Sequence, residues 1–137
     1  MGKIVVIDGQ GGSLGKAVIE QIKKVLPGTA VLAIGTNSIA TAAMLKGGAA
    51  AGATGENPVL VNCRDADYII GPVGILAADA LLGEITPAMA QAVGGSPALK
   101  LLIPVNKCQI HIAGQNNLAY GDYVRLVVEE LKKQLER

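Results

Sequence analysis

Four consecutive β-branched residues, Ile4-Val5-Val6-Ile7, run through Asp8 into the turn Gly9-Gln10-Gly11-Gly12-Ser13-Leu14-Gly15. Such an unalternated run is a strand buried on both faces, which requires a parallel sheet covered on each side. Behind the turn, Leu14, Val18, Ile22, Val25 and Leu26 recur at helical spacing, and Lys16, Glu20, Lys23 and Lys24 form the polar face. A buried strand feeding a helix through a tight glycine turn gathers free N–H groups and a positive helix end at one point. That arrangement accepts phosphate.

The same alternation continues along the chain. Residues 30–34 read as a second buried strand and 38–46 as a small-residue helix, which Gly47-Gly48 ends. Residues 49–55 read as a loop, 59–61 and 68–70 as short strands, and 75–82 and 87–93 as helices. Thr86 stands at the N-cap of the last of these, with Pro87 at the first helical position. Residues 99–103 form a further strand and 109–112 an edge strand. Tyr120, Val124, Val127, Val128, Leu131 and Leu135 line a long closing helix, with Asp122 as its expected cap and Glu129 and Lys133 as a solvent-side pair. Strands alternating with helices predict an α/β fold, a three-layer α/β/α Rossmann-like sandwich with a mainly parallel sheet. At 137 residues, with no linker or repeat, residues 1–137 are expected to form a single domain.

Two phosphate motifs can be tested on the turn. A P-loop requires a Ser or Thr after Gly15-Lys16, where Ala17 stands, and Gln10 occupies its first glycine position. The dinucleotide fingerprint fits better: Gly9 and Gly11 supply its first two glycines, and the third falls at Gly15, one residue late. The acidic residue expected about 20 positions further on is missing. Gly35-Thr36-Asn37 stands there instead, able to bind a ribose hydroxyl or to tolerate a 2′-phosphate. The expected ligand site therefore comprises Asp8, Gly9, Gln10, Gly11, Gly12 and Ser13 of the turn. Gly15 and Lys16 extend it into the helix, and Thr36, Asn37, Gly71 and Asn106 join it from the other strand ends. Packing of helix on sheet is the competing explanation of the glycines.

The segments "VIDGQGGSLGKA", "AIGTNSIATAAMLKGGA", "GATGENPVLVN", "IIGPVGILAADALLGEITPAMAQAVG" and "LIPVN" resemble a family of short bacterial proteins known as a domain of unknown function. They cover most of residues 4–106. The resemblance implies a Rossmann-like fold and carries no activity and no catalytic residues.

The remaining residues narrow the function. Twelve basic against eleven acidic residues leave no polybasic footprint, and the chain has neither Trp nor Phe, so nucleic acid is not an expected partner. Mean hydropathy is high at +0.42, yet the most apolar stretch, 68–82, is broken by Gly71, Pro72, Gly74 and Asp79, so no membrane span is expected. No leader pattern precedes Asp8, which points to a cytoplasmic location. Cys63 and Cys108 read as buried thiols at strand ends, and His111 as a structural residue on a strand. No spacing suggests a metal site. Glu56 is expected at the end of the sheet opposite the glycine turn, away from any chemistry. Only Lys46 and Glu56 carry charge between Leu26 and Cys63, which points to a homodimer or larger assembly, and Asp79 in an apolar helix is a candidate contact.

Two functions fit these observations. One is a non-catalytic sensor or assembly module that binds a phosphorylated small molecule. The other is a small enzyme using NAD(P) or another nucleotide as cofactor, its active site completed by oligomerisation. The short chain leaves little room for a substrate domain, which favours the first.

Overall fold

The structure, a computed structural model, describes residues 2–105 and 109–137. Five parallel strands form one sheet: β1 (Ile4–Asp8), β2 (Leu32–Gly35), β3 (Ala51–Thr54), β4 (Tyr68–Pro72) and β5 (Leu99–Ile103), in the order β3-β2-β1-β4-β5. Among the described residues five α-helices connect and cover them: α1 (Ser13–Val25), α2 (Ser38–Lys46), α3 (Glu56–Asn62), α4 (Pro87–Gly94) and α5 (Tyr120–Leu135). Val18, Ile19 and Ile22 of α1, Met44 of α2 and Val128 and Leu131 of α5 pack on one face of the sheet. Val59 of α3 and Met89 and Val93 of α4 pack on the other. The result is the expected three-layer Rossmann-like sandwich, with a sheet that is parallel throughout. The chain winds outward from β1 to β3, then returns to place β4 on β1's other side. The carboxyl ends of β1 and β4 therefore flank a topological switch point, where open α/β sheets bind ligands.

Four local expectations are corrected. Residues 49–55 contain strand β3 rather than a plain loop. Its Ala-Gly-Ala-Thr sequence lacks the usual β-branched run because it is an exposed edge, paired only with β2. Residues 59–61 are helical, because Pro58 fits the first turn of α3 and only Val59 is buried there. Residues 75–82 are not an α-helix. A 3-10 turn over Val73–Leu76 gives way to a tight loop in which Asp79, Leu81 and Leu82 adopt φ of 67°, 57° and 58°. Main-chain bonds from Asp79 N to Ile85 O (2.7 Å) and from Ile85 N to Ala80 O (3.1 Å) close this loop. Residues 109–112 form no strand, and His111 is exposed. Asp79 is exposed in the loop rather than set in a helix.

Helix ends show how sequence and tertiary context divide the work. Thr86 caps α4 as expected, its Oγ1 accepting from Met89 N at 3.1 Å, with Pro87 in the first turn. Asp122 does not cap α5. Ala119 holds that position, and Asp122 pairs with Arg125 one turn on. Glu129 and Lys133 form no ion pair among the described residues; their neighbour Glu130 accepts from Gln134 at 2.8 Å.

The four turn glycines differ sharply in what a Cβ would meet. At Gly9 it would lie 2.6 Å from Thr36 Oγ1 and at Gly15 2.5 Å from Met44 Sδ. At Gly12, with φ 75°, it would lie 2.7 Å from both the Cα and the O of Ala40. At Gly11 it would meet nothing within 4 Å. Gly12→Ala should therefore be the most destabilising of the four, by more than the ~1 kcal/mol of a left-handed alanine alone, because backbone cannot yield as Met44 can. Gly15→Ala should cost less, and Gly11→Ala should leave stability unchanged or raise it by up to about 1 kcal/mol. Urea unfolding midpoints of the three variants check this order.

Candidate functional site

Asp8, the last residue of β1, is 5% exposed. Its Oδ1 accepts from Gly9 N at 2.8 Å and its Oδ2 from Gly15 N at 2.7 Å. The carboxylate thus caps the start of α1 from inside, where Gly12 is the N-cap and offers no side chain. Burial pushes the Asp8 carboxyl above its ordinary range, against the hydrogen bonds from Gly15 and Gly9, and the nearby Glu84 charge pushes it the same way.

Glu84 is the residue that sequence reasoning missed. It leaves the strained loop after β4 and reaches across the glycine turn to the end of β2. Its Oε1 accepts from Thr36 Oγ1 at 2.6 Å, Asn37 Nδ2 at 2.8 Å and Gln10 N at 2.9 Å. Partial burial raises the Glu84 carboxyl, but the hydrogen bonds from Thr36, Gln10 and Asn37 prevail and hold it below its ordinary range. Asn37 is fixed for this role, since its Oδ1 caps α2 by accepting from Ala40 N at 2.9 Å and its Nδ2 also donates to Gln10 O at 3.0 Å. One clue lay in the sequence: Glu84 is the only charged residue between Ala80 and Ala98.

The turn itself keeps an open outer side. Gln10 takes φ 50° and is exposed, as are Gly11 and Ser13. The Gly11 and Ser13 amides make no hydrogen bond among the described residues. Partial burial pushes the Tyr120 phenol at the start of α5 up, and the Ser13 side chain acts against the push. On the inner side Leu81, 3% exposed, closes over Gly9, its Cδ1 lying 3.0 Å from the position a Cβ there would take.

The structure brings Asp8, Gly9, Gln10, Gly11, Gly12, Ser13, Gly15, Thr36 and Asn37 together. Gly71 lies inside β4, where a Cβ would run into Ile7 O, so it serves the close approach of two strands. The stem of Lys16 lies beside Gly47, at the end of α2. Asn106, Lys107 and Cys108 lie outside the described residues. Asn62 and Cys63 stand at the end of α3 rather than on the carboxyl rim of the sheet. There Asn62 Oδ1 accepts from Lys3 Nζ at 3.0 Å, and Cys63 is a buried free thiol. Glu56, expected at the far end of the sheet, sits on the same rim as the turn because β3 precedes it, and accepts from Thr86 Oγ1 at 2.6 Å.

A parallel Rossmann-like sheet with a glycine turn at its switch point defines the class. Within it, the chain belongs to the family described as a domain of unknown function (DUF3842), whose model matches residues 3–136. No curated protein and no solved structure matches it.

The two carboxylates set opposite pH dependences. Asp8, raised above 3.8, binds its proton more tightly in the folded protein, so its contribution to stability is largest in acid and is lost as pH rises through its folded pKa. Glu84, lowered below 4.5, contributes stability above that value, which is lost as pH falls through its folded pKa. Unfolding measured from acid to neutral pH should show the falling slope vanish in Asp8→Asn and the acid-side loss shrink in Glu84→Gln.

Proposed function

We propose that the protein binds a phosphorylated small molecule of the nucleotide class on the outer side of the glycine turn and acts as a sensor or assembly module. The observation that carries this reading is Gly11. Packing accounts for Gly9, Gly12 and Gly15, whereas Gly11 faces open space where a Cβ would meet nothing. In glycine turns of this kind the second glycine is where the backbone approaches a pyrophosphate. The unbonded Gly11 and Ser13 amides, at the positive end of α1, supply donors for such an anion. A non-catalytic role is supported by the commitment of both Asp8 oxygens and of Glu84 Oε1 to donors of the protein itself. A nicotinamide dinucleotide, NAD(P), or another nucleotide is the cofactor class for the second reading, an enzyme completed by oligomerisation. A cytoplasmic location fits the free thiol of Cys63.

A thermal-shift screen with nucleotides and phosphorylated metabolites, followed by calorimetric titration, tests the reading. A ligand at 100 times its dissociation constant should stabilise the native protein by about 2.7 kcal/mol. Gly11→Ala should keep its fold and lose more than tenfold in affinity. Lys16→Ala, which removes a charge from the first turns of α1, should weaken binding by about 1 kcal/mol. Undiminished affinity in Gly11→Ala would sink the proposal.

Self-association is proposed on the edge strand β3. Open edges invite pairing with another chain unless charge or proline guards them. The opposite edge, β5, carries Lys100, whereas β3 carries neither charge nor proline. Leu45 of α2, 44% exposed, lies over Gly52 of β3, within the charge-poor span noted above. A second copy pairing along β3 would cover both. Light scattering at micromolar concentration should report a dimer and Ala51→Lys a monomer; a monomeric wild type would refute the pairing.

A further inference from the structure

Resting on the nucleotide reading above, we infer that Glu84 is the ribose-binding acid of this fold, supplied by the loop after β4 instead of by β2, and that the ligand carries an unesterified 2′-hydroxyl. In dinucleotide-binding sheets that acid follows the glycines by about 20 residues and accepts hydrogen bonds from ribose. Here that stretch of chain ends in Gly35-Thr36-Asn37, without a carboxylate. Thr36 and Asn37 instead grip a carboxylate that arrives from 47 and 48 positions away, at 2.8 and 2.6 Å respectively for Asn37 and Thr36. Gln10 N, from the turn itself, holds the same oxygen at 2.9 Å. All three donors converge on Oε1, and Oε2 makes no hydrogen bond among the described residues. That second oxygen is an acceptor beside the turn, at the end of β2.

The loop's conformation fits this role. Asp79, Leu81 and Leu82 all take φ above 50°, a run that bulky side chains adopt only when the surroundings impose it. Leu81 is buried over Gly9, and Gly83, at φ 90°, turns the chain so that Glu84 reaches the rim. A carboxylate at that point accepts from a ribose diol. It repels a 2′-phosphate, which offers like charge in place of a donor.

The experiment compares ligands on the unmodified protein first. Calorimetric titration would use the four ribonucleoside 5′-diphosphates, their 2′-deoxy counterparts, and adenosine 2′,5′-bisphosphate beside 5′-AMP. A ribose ligand should bind at least tenfold more tightly than its 2′-deoxy form, and 5′-AMP at least tenfold more tightly than the bisphosphate. Glu84→Gln retains an oxygen for Thr36, Asn37 and Gln10 and should erase the discrimination against the bisphosphate. Nucleotide binding with no 2′ preference would overturn the role of Glu84 and leave the phosphate site standing. Uniformly tighter binding in Glu84→Gln would overturn it too, by marking Glu84 as a competitor for the phosphate's place. Failure of every nucleotide to bind would overturn both.

Discussion

The buried carboxylate of Asp8 is the constraint around which the rim of the sheet is arranged. A helix start inside a fold leaves N–H groups that water cannot reach. Asp8 satisfies those of Gly9 and Gly15 from the end of the strand that leads into the helix. Burying the charge raises its pKa, and the two short hydrogen bonds offset part of that cost. The consequence is geometric. With the inner donors taken, only the outer amides of the turn remain for anything else, and Gly11 lies among them.

A second carboxylate closes the arrangement from the other half of the sheet. The winding of the chain sets β2 and β4 on opposite sides of β1, so no local contact joins their loops. Glu84 bridges them through Thr36 and Asn37, and the left-handed residues before it are the conformational cost of spanning the switch point. Leu81 and Ile85, buried on either side of this span, keep it in place. The candidate site is thus held by side chains drawn from three different connections of the sheet.

This arrangement separates two roles that one glycine motif commonly combines. Gly9, Gly12 and Gly15 let the turn lie against Thr36, Ala40 and Met44, so they belong to the packing of β1, α1 and α2. Gly11 belongs to the surface. The competing explanations of the turn, packing and ligand approach, therefore apply to different residues of the same stretch.

Residues 4–8 and 99–103, the helix over 38–46 and the closing helix from Tyr120 were legible because burial or amphipathic spacing there is written in consecutive side chains. So was the α/β class, which follows from the alternation of such segments. The turn's residues could be named for the same reason, since the glycines are adjacent in the chain. What sequence patterns do not carry is context from elsewhere. β3 has no hydrophobic run because an exposed edge needs none, and without β3 the rim position of Glu56 was hidden. "ILAADALL" has the apolar content of a helix but folds as the end of a 3-10 turn and a loop in which Asp79, Leu81 and Leu82 are left-handed, because burying Leu81 over Gly9 and bringing Glu84 to Thr36 outweigh local preference. The sequence by itself determined the layers and the glycine turn, through short-range periodicity. Only the tertiary structure decided that Glu84, from beyond β4, meets Thr36 at the end of β2, because that contact joins residues 48 positions apart.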